Sequence, residues 1–209
     1  MKLTNSRRST YFLVAVAIFG AIAIILYTVP IFSFNIPIFP SFLSVHLDEI
    51  PAFIVGYAYG PWAALFVIVI KTFPKLFFTS TMTVGEFCDL ILSLAFVLPA
   101  AFLFKYKRSP KWVVIGLAIS FVSQLITAML VTTFVVLPIY MFVFKMSEDQ
   151  LLGMIRAVVP NVTNLQTGYM FFVALPFNAI KNGIVVTIVS IVFFPLLPTI
   201  KKVRSQNGI

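Results

Sequence analysis

The chain has 209 residues, of which 61% are hydrophobic and 10% are charged, and its mean hydropathy is +1.07. A soluble domain usually has about 25% charged residues, so this composition excludes a water-soluble fold. The net charge of +9 does not indicate nucleic-acid binding, because most basic residues cluster beside apolar runs.

Continuous apolar runs of about 20 residues predict transmembrane α-helices rather than the alternating strands of a barrel. The predicted spans cover about 11–29, 47–60, 61–73, 86–104, 112–137 and 168–198. Gly60-Pro61 breaks the second apolar stretch, which is therefore either one kinked helix or two short helices that turn back. Pro138 is predicted to end the fifth span, and residues 74–84 are predicted to form a loop. In the polar stretch that follows the fifth span, 151–159 is predicted to be a surface helix.

The basic residues select between these alternatives. Ten of the 15 lie in three clusters: Lys2, Arg7 and Arg8; Lys105, Lys107, Arg108 and Lys111; Lys201, Lys202 and Arg204. Positive charge marks the cytoplasmic side, and six crossings place all three clusters there, whereas a single span over 50–73 would put Lys105 to Lys111 opposite the N-terminal cluster. The sequence therefore predicts one all-α bundle over 1–209, with six transmembrane helices in the cell membrane and both termini cytoplasmic.

Charged side chains inside apolar spans are costly and mark candidate functional positions. Lys71 lies near the end of its helix, where snorkelling to the interface would explain it. Glu86 and Asp89 share one helical face within a first turn, where they would complement the helix dipole or contact a ligand.

The last span carries a polar face made of Asn178, Lys181 and Asn182. These groups supply donors and acceptors for a polar small molecule, or they form a polar contact between helices. In the first span, Ala17 and Ala21 form a small-xxx-small pair, which either packs helices within the chain or docks a separate membrane subunit.

Enzymatic function is not indicated. No phosphate-binding G-x-x-x-x-G-K-[ST] loop is present, so the chain cannot hydrolyse ATP by that mechanism. The single histidine, His46, has no nucleophile placed beside it in the sequence, and one histidine with one cysteine, Cys88, predicts no metal site. We expect no cofactor and no internal disulfide.

With these motifs, the chain resembles the substrate-binding S component of an energy-coupling factor (ECF) vitamin transporter, of the riboflavin type. The resemblance covers nearly the whole chain. The matching segments, in order, are Ile50-Pro51-Ala52, Gly60-Pro61, Ile70-Lys71, Val84-Gly85-Glu86, and Pro176-Phe177-Asn178 with Lys181. The Ala17 and Ala21 pair resembles the docking motif of that family for its transmembrane coupling subunit.

This resemblance implies a subunit that binds a vitamin from the outside and associates with a coupling subunit and two ATPases. It implies that Asn178 and Lys181 contact the flavin, and Glu86, Thr132 and Asn182 complete the candidate site. Two positions depart from the family pattern. The chain has His46-Leu47-Asp48-Glu49 where an Asp-x-Ser-Asp run is typical, and Thr132 where an Asn is typical. Riboflavin is therefore the first expectation, with another vitamin or a flavin relative as the alternative.

Two other classes of function are weighed. An ion-coupled secondary transporter often shows inverted repeats and ion sites near the bilayer midplane. The sequence shows no repeat, and Glu86 and Asp89 are predicted near a helix end rather than at mid-membrane. A membrane scaffold would bind no small molecule saturably.

Overall fold

The structure is a computed structural model that describes residues 5–79, 82–107 and 109–207. Lys2 and Arg108, from the predicted basic clusters, lie outside these residues. The α-helices are α1 (Asn5–Thr28), α2 (Glu49–Tyr59), α3 (Pro61–Lys75), α4 (Val84–Tyr106), α5 (Pro110–Val131), α6 (Leu137–Val143), α7 (Glu148–Arg156), α8 (Thr167–Tyr169) and α9 (Leu175–Asn207). Short 3-10 helices occupy Pro30–Phe32 and Leu76–Phe78, and π-helices occupy Thr132–Val136 and Met170–Ala174.

Within the described residues, four helical segments are long and apolar enough to cross a membrane: Ser6–Thr28, Val84–Tyr106, Pro110–Val143 and Thr167–Gln206. The protein is therefore a helical membrane protein, as the composition predicts. Helices α2 and α3 have 11 and 15 residues. At about 1.5 Å per residue they are roughly 16 and 22 Å long, shorter than a hydrocarbon core of about 30 Å.

The break between α2 and α3 lies at Gly60. Its backbone has φ 96° and ψ 172°, a conformation that essentially only glycine adopts without strain. The Gly60 N–H closes α2 by donating to the carbonyl of Gly56 at 2.9 Å, and Pro61 begins α3 at the next residue. Residues 50–73 are therefore two helices that turn back on each other, and not one kinked helix.

Helix α2 is the centre of the bundle. Nearly all of its residues are buried, and it contacts α1, α3, α4 and α9. Its aromatic residues meet rings from two neighbouring helices edge to face: Phe53 lies 5.0 Å from Phe96, and Tyr57 lies 4.8 Å from Phe193, measured between ring centroids. Because protein surrounds α2, the short helix and the non-helical backbone at Gly60 are shielded from lipid, so both can lie within the membrane.

Arg204 closes this end of the bundle. The sequence places it in a polar tail after the last span, but α9 continues to Asn207 and Arg204 is buried. Its guanidinium donates to the carbonyl of Tyr57 at 2.8 Å and lies 5.3 Å from the ring of Phe104. A cation at the end of α2 neutralises carbonyls that the helix leaves without partners, so this part of the tail belongs to the core.

Both π-helices end immediately before a Leu-Pro pair, Leu137-Pro138 and Leu175-Pro176. The prediction that Pro138 ends the fifth span is wrong, because the helix continues to Val143. Proline lacks an N–H and clashes with the carbonyl four residues earlier. The wider π turn, in which bonds run over five residues, accommodates the ring without ending the helix.

Two connecting segments, 29–48 and 144–166, cover one end of the bundle, and we call them the covering segments. In the first, Phe34 and Val45 form an isolated antiparallel bridge. The second contains α7, whose first turn has a capping box between Ser147 and Gln150. The short helix predicted over 151–159 is therefore present, but it begins at Glu148 and ends at Arg156. Both segments contribute to one apolar cluster, in which Phe39 and Val45 join Leu151 of α7. The predicted loop over 74–84 begins later than expected, since α3 runs to Lys75 and a 3-10 helix follows.

Candidate functional site

A cavity of about 250 Å³ lies beneath these covering segments. Its wall contains Tyr27 from the end of α1, Lys75 from the end of α3 and Tyr140 from α6. It also contains Glu86 from the start of α4 and Lys181 from the first turns of α9. The cavity is therefore lined by the final turns of some helices and by the first turns of others, as expected when successive helices run in opposite directions.

Four of the five predicted substrate-binding residues line this cavity: Glu86, Thr132, Asn178 and Lys181. They come from α4, the first π-helix and α9. The fifth, Asn182, is fully buried outside the cavity wall, where its side-chain amide donates to Gln124 at 2.6 Å. The structure thus gives Asn182 a contact between helices, while the other four share one space.

Gln124 of α5 is a residue that sequence reasoning missed. Its amide donates to Asn178 at 2.9 Å and its carbonyl accepts from Asn182, so it holds two residues of the polar face on α9. Asn178 also donates to the carbonyl of Ala174 at 2.8 Å. A glutamine inside an apolar span is the signal that could have indicated a partner for this face.

A cluster of five charged residues lies next to these amides and contributes Asp89 and Lys181 to the cavity wall. We call it the ion cluster, and it consists of Asp48, Glu49, Lys71, Asp89 and Lys181. Lys71 contacts Asp48, donates to Asp89 at 2.9 Å and donates to the hydroxyl of Ser93 at 2.8 Å. Lys181 contacts Glu49 at 2.8 Å and Asp89 at 3.6 Å.

The predicted snorkelling of Lys71 is wrong. The side chain of Lys71 is fully buried, with an exposed fraction of 0%, because the start of α2 and the start of α4 bring carboxylates to it. Asp48 and Glu49 stand at the beginning of α2, a position where the helix dipole also favours negative charge. The sequence could not show that the ends of α2, α3 and α4 meet.

Glu86 occupies the first turn of α4, as predicted, and it is buried. It accepts a hydrogen bond from the hydroxyl of Thr79 at 2.9 Å. This contact joins the segment before α4 to its first turn, while the residue also lines the cavity. Both predicted roles of Glu86, at the helix end and towards a ligand, remain compatible with its position.

Tyr27 and His46 also line the cavity, and the sequence did not indicate either of them as a site residue. Tyr27 is buried, and its ring lies 4.9 Å from the ammonium of Lys71 and 5.2 Å from that of Lys75. The ring of His46 meets Tyr27 edge to face at a centroid distance of 5.1 Å. Cys88 is buried and also lines the cavity.

Ala17 and Ala21 lie elsewhere. Both are exposed on α1, among exposed apolar side chains such as Val14, Ile18 and Ile25. Neither residue lines the cavity. The side of α1 that carries them therefore faces away from its protein neighbours.

Comparison with known proteins identifies the class of this fold. Residues 11–193 match the family described as the ECF transporter, substrate-specific component. A solved structure described as the S component of a bacterial ECF transporter superposes with a TM-score of 0.70 at 25% identity, over 92% of this chain and 99% of that one. The chain belongs to the family of substrate-specific components of ECF transporters.

Two relatives are similar along nearly their whole length. The riboflavin transporter RibU of Staphylococcus aureus (strain TCH60) is 27% identical over 190 residues, covering 91% of this chain and 92% of the relative. The riboflavin transporter FmnP of Bacillus subtilis (strain 168) is 30% identical over 199 residues, covering 93% and 96%. The prediction of a transport subunit rather than an enzyme is confirmed by the family, whose members bind a transported substrate and associate with an ECF module.

The ion cluster yields a test of stability. Lys71→Met leaves Asp48 buried without its cation, and breaking a buried pair in this way costs about 3–5 kcal/mol. We expect the free energy of unfolding in detergent to fall by that amount. Lys75→Met is the matched control, since Lys75 is only partly buried and contacts the Tyr27 ring and backbone. That control should cost less than about 1 kcal/mol.

The pairing is checked by adding Asp48→Asn to Lys71→Met. Removing the stranded anion should restore part of the lost stability, because the two positions are coupled. Equal losses for Lys71→Met and Lys75→Met, with no recovery in the double variant, would contradict the buried pairing.

Proposed function

We propose that this chain is the riboflavin-binding subunit of an ECF transporter and that the cavity beneath the covering segments holds the vitamin. The observation that carries this proposal is the convergence of Glu86, Thr132, Asn178 and Lys181 on one cavity. The names of the two relatives point to riboflavin as the substrate.

The chemistry of the wall fits a flavin. Riboflavin combines a flat ring system carrying carbonyls and ring nitrogens with a chain of hydroxyl groups. Lys181 supplies donors, the amide of Asn178 supplies both kinds of group, and the carboxylate of Glu86 accepts from hydroxyls. Apolar and aromatic side chains line the same space and can cover the ring: Leu92, Val136, Tyr169 and Phe177. A mostly apolar pocket with a few placed polar groups is typical of small-molecule sites.

Riboflavin binding by the purified protein tests this proposal. We expect the protein to quench the fluorescence of added riboflavin, and Asn178→Ala and Lys181→Met to weaken its affinity by about tenfold or more, which corresponds to about 1.4 kcal/mol. Thr187→Ala is the control on the same helix, since Thr187 is exposed and its hydroxyl donates to the carbonyl of Gly183 within that helix, at 2.7 Å.

Because Lys181→Met leaves Glu49 buried without its cation, the variant is also made together with Glu49→Gln. A wild-type protein that neither carries nor quenches riboflavin would refute the flavin assignment. Native mass spectrometry with a panel of vitamins would then identify another vitamin or a flavin relative.

We also propose that the chain crosses the cell membrane six times with both termini in the cytoplasm. The separate helices α2 and α3 support this count. Helix α3 ends at Lys75 in the cavity wall, and α2 begins three residues after His46 of the same wall, while their shared turn lies towards Arg204. Ser6, Ser109 and Ser205, beside the three basic clusters, then lie on one side. Ser41 and Gln150, in the covering segments, lie on the other.

Single cysteines introduced at these five positions in a Cys88→Ala background test the topology. With a membrane-impermeant maleimide, we expect labelling at Ser41 and Gln150 in intact cells, since both positions are exposed. Ser6, Ser109 and Ser205 should react only after permeabilisation. If 50–73 crossed once, Ser41 and Gln150 would lie on opposite sides, so their different labelling would contradict six crossings.

The exposed pair Ala17 and Ala21 is proposed to dock the transmembrane coupling subunit, to which two ATPases supply the energy. Small residues allow a partner helix to approach closely. Ala17→Phe and Ala21→Phe should therefore lower riboflavin uptake in cells that contain the coupling module by about tenfold or more. Binding by the isolated subunit should not change.

Ile119→Phe is the control for this experiment, because it enlarges an exposed apolar side chain on α5 instead. Unchanged uptake in both alanine variants, or an equal loss in the Ile119 control, would argue against this docking face.

A further inference from the structure

His46 sits on a short segment that is fixed on both sides. On one side, the neighbouring residue Val45 exchanges two backbone hydrogen bonds with Phe34, at 2.9 and 3.2 Å. On the other side, Asp48 and Glu49 begin α2 and are paired with the two lysines of the ion cluster. The backbone of His46 is therefore anchored within two residues in each direction.

The imidazole ring is also held in orientation. It meets the ring of Tyr27 at an interplanar angle of 84°. Tyr27 is itself fixed, since two ammonium groups lie over its ring. Because its neighbour is fixed, the imidazole ring has a defined orientation towards the cavity that it lines.

The two ring nitrogens stand in different surroundings. Nδ1 is shielded from solvent and has no hydrogen-bond partner among residues 5–79, 82–107 and 109–207. Because His46 lines the cavity while Nδ1 is buried, Nε2 is the ring nitrogen that is left to face the cavity. Unpaired buried N–H groups are rarer than unpaired buried acceptors, so we place the lone pair on Nδ1 and the proton on Nε2.

Burial lowers the pKa of His46 to about 4, and Lys181 and Lys71 act in the same direction. The carboxylates of Asp89 and Glu49 oppose this shift but do not overcome the burial. The ring is therefore neutral near pH 7, and it directs one uncharged N–H donor into the cavity.

We propose that Nε2–H of His46 donates a hydrogen bond to an acceptor of the bound flavin, and that His46 is a substrate-binding residue of this chain. The inference rests on the proposed function, because it takes the ligand of the cavity to be a flavin. The acceptors available on riboflavin are ring carbonyls, ring nitrogens and the oxygens of its hydroxyl chain. A neutral donor suits these groups.

Three substitutions separate the nitrogen from the shape of the ring. His46→Phe keeps a flat ring against Tyr27 but removes both nitrogens. The side-chain amide of His46→Gln reaches the position of Nε2, whereas that of His46→Asn reaches only the position of Nδ1. We expect the riboflavin dissociation constant to rise about tenfold in the Phe and Asn variants, and to stay within about threefold of wild type in the Gln variant.

Each outcome of these binding measurements bears on a specific claim. Wild-type affinity in both the Phe and Asn variants would overturn this inference and leave the proposed function intact. Equal losses in all three variants would show that a donor at the position of Nε2 does not restore binding, and would also overturn it. A wild-type protein that does not bind riboflavin would refute both proposals. If the Phe variant does not fold, the comparison of Gln with Asn still decides.

A second ligand locates the acceptor. Lumiflavin keeps the ring system but lacks the hydroxyl chain of riboflavin. A loss of affinity in His46→Phe for both ligands would support the inference and place the bond at the ring. A loss for riboflavin alone would support it and place the bond at the hydroxyl chain.

Discussion

The architecture depends on neutralising two lysines that are buried among apolar helices. Removing a charge from water costs several kcal/mol unless partners with good geometry surround it. Here the partners come from different elements: Lys71 of α3 meets Asp48 before α2 and Asp89 of α4, and Asp89 also faces Lys181 of α9. The ion cluster therefore fixes how the ends of four helices approach one another. The same arrangement builds the cavity wall, since Asp89 and Lys181 belong to both. A substitution at either of these two positions therefore changes both the ion cluster and the cavity wall.

Proline shapes another part of the cavity wall. Each of the two π-helices precedes a Leu-Pro pair, and each borders the cavity through a residue in or beside it, Thr132 in one case and Tyr169 in the other. The two π-helices also contact each other. A π turn is wider than an α turn and changes the direction of the side chains that follow it. The prolines thus allow two long helices to continue past the cavity while the wall between them is locally reshaped.

The sequence predicts the features that arise within one segment, and it fails where two segments must meet. The apolar runs, the break at Gly60-Pro61 and the polar face with Asn178 and Lys181 are local patterns, and all of them correspond to elements of the structure. The environment of Lys71 could not be read in this way, because its carboxylates stand 23 and 18 residues away along the chain. Pro138 was misread because the rule that proline ends a helix assumes α-helical bonding. Asn182 shares a helical face with Asn178, and both bond to Gln124 of α5, but only Asn178 also lines the cavity. The sequence alone could not show which of the two reaches the cavity.

Helix α1 connects the exposed alanine face to the cavity through Tyr27. Along its length α1 packs on α2 and α3, while Ala17 and Ala21 point away from them. Tyr27, in the last turn of α1, is buried. Its ring contacts the ammonium groups of Lys71 and Lys75 and packs edge to face with the ring of His46. Any movement of α1 along its axis must therefore displace this ring relative to a lysine of the ion cluster and to the anchored histidine. Closely packed interfaces tolerate such displacements poorly and transmit strain. Tyr27 is therefore the contact through which a displacement of α1, caused by binding at its exposed alanine face, would change the cavity wall.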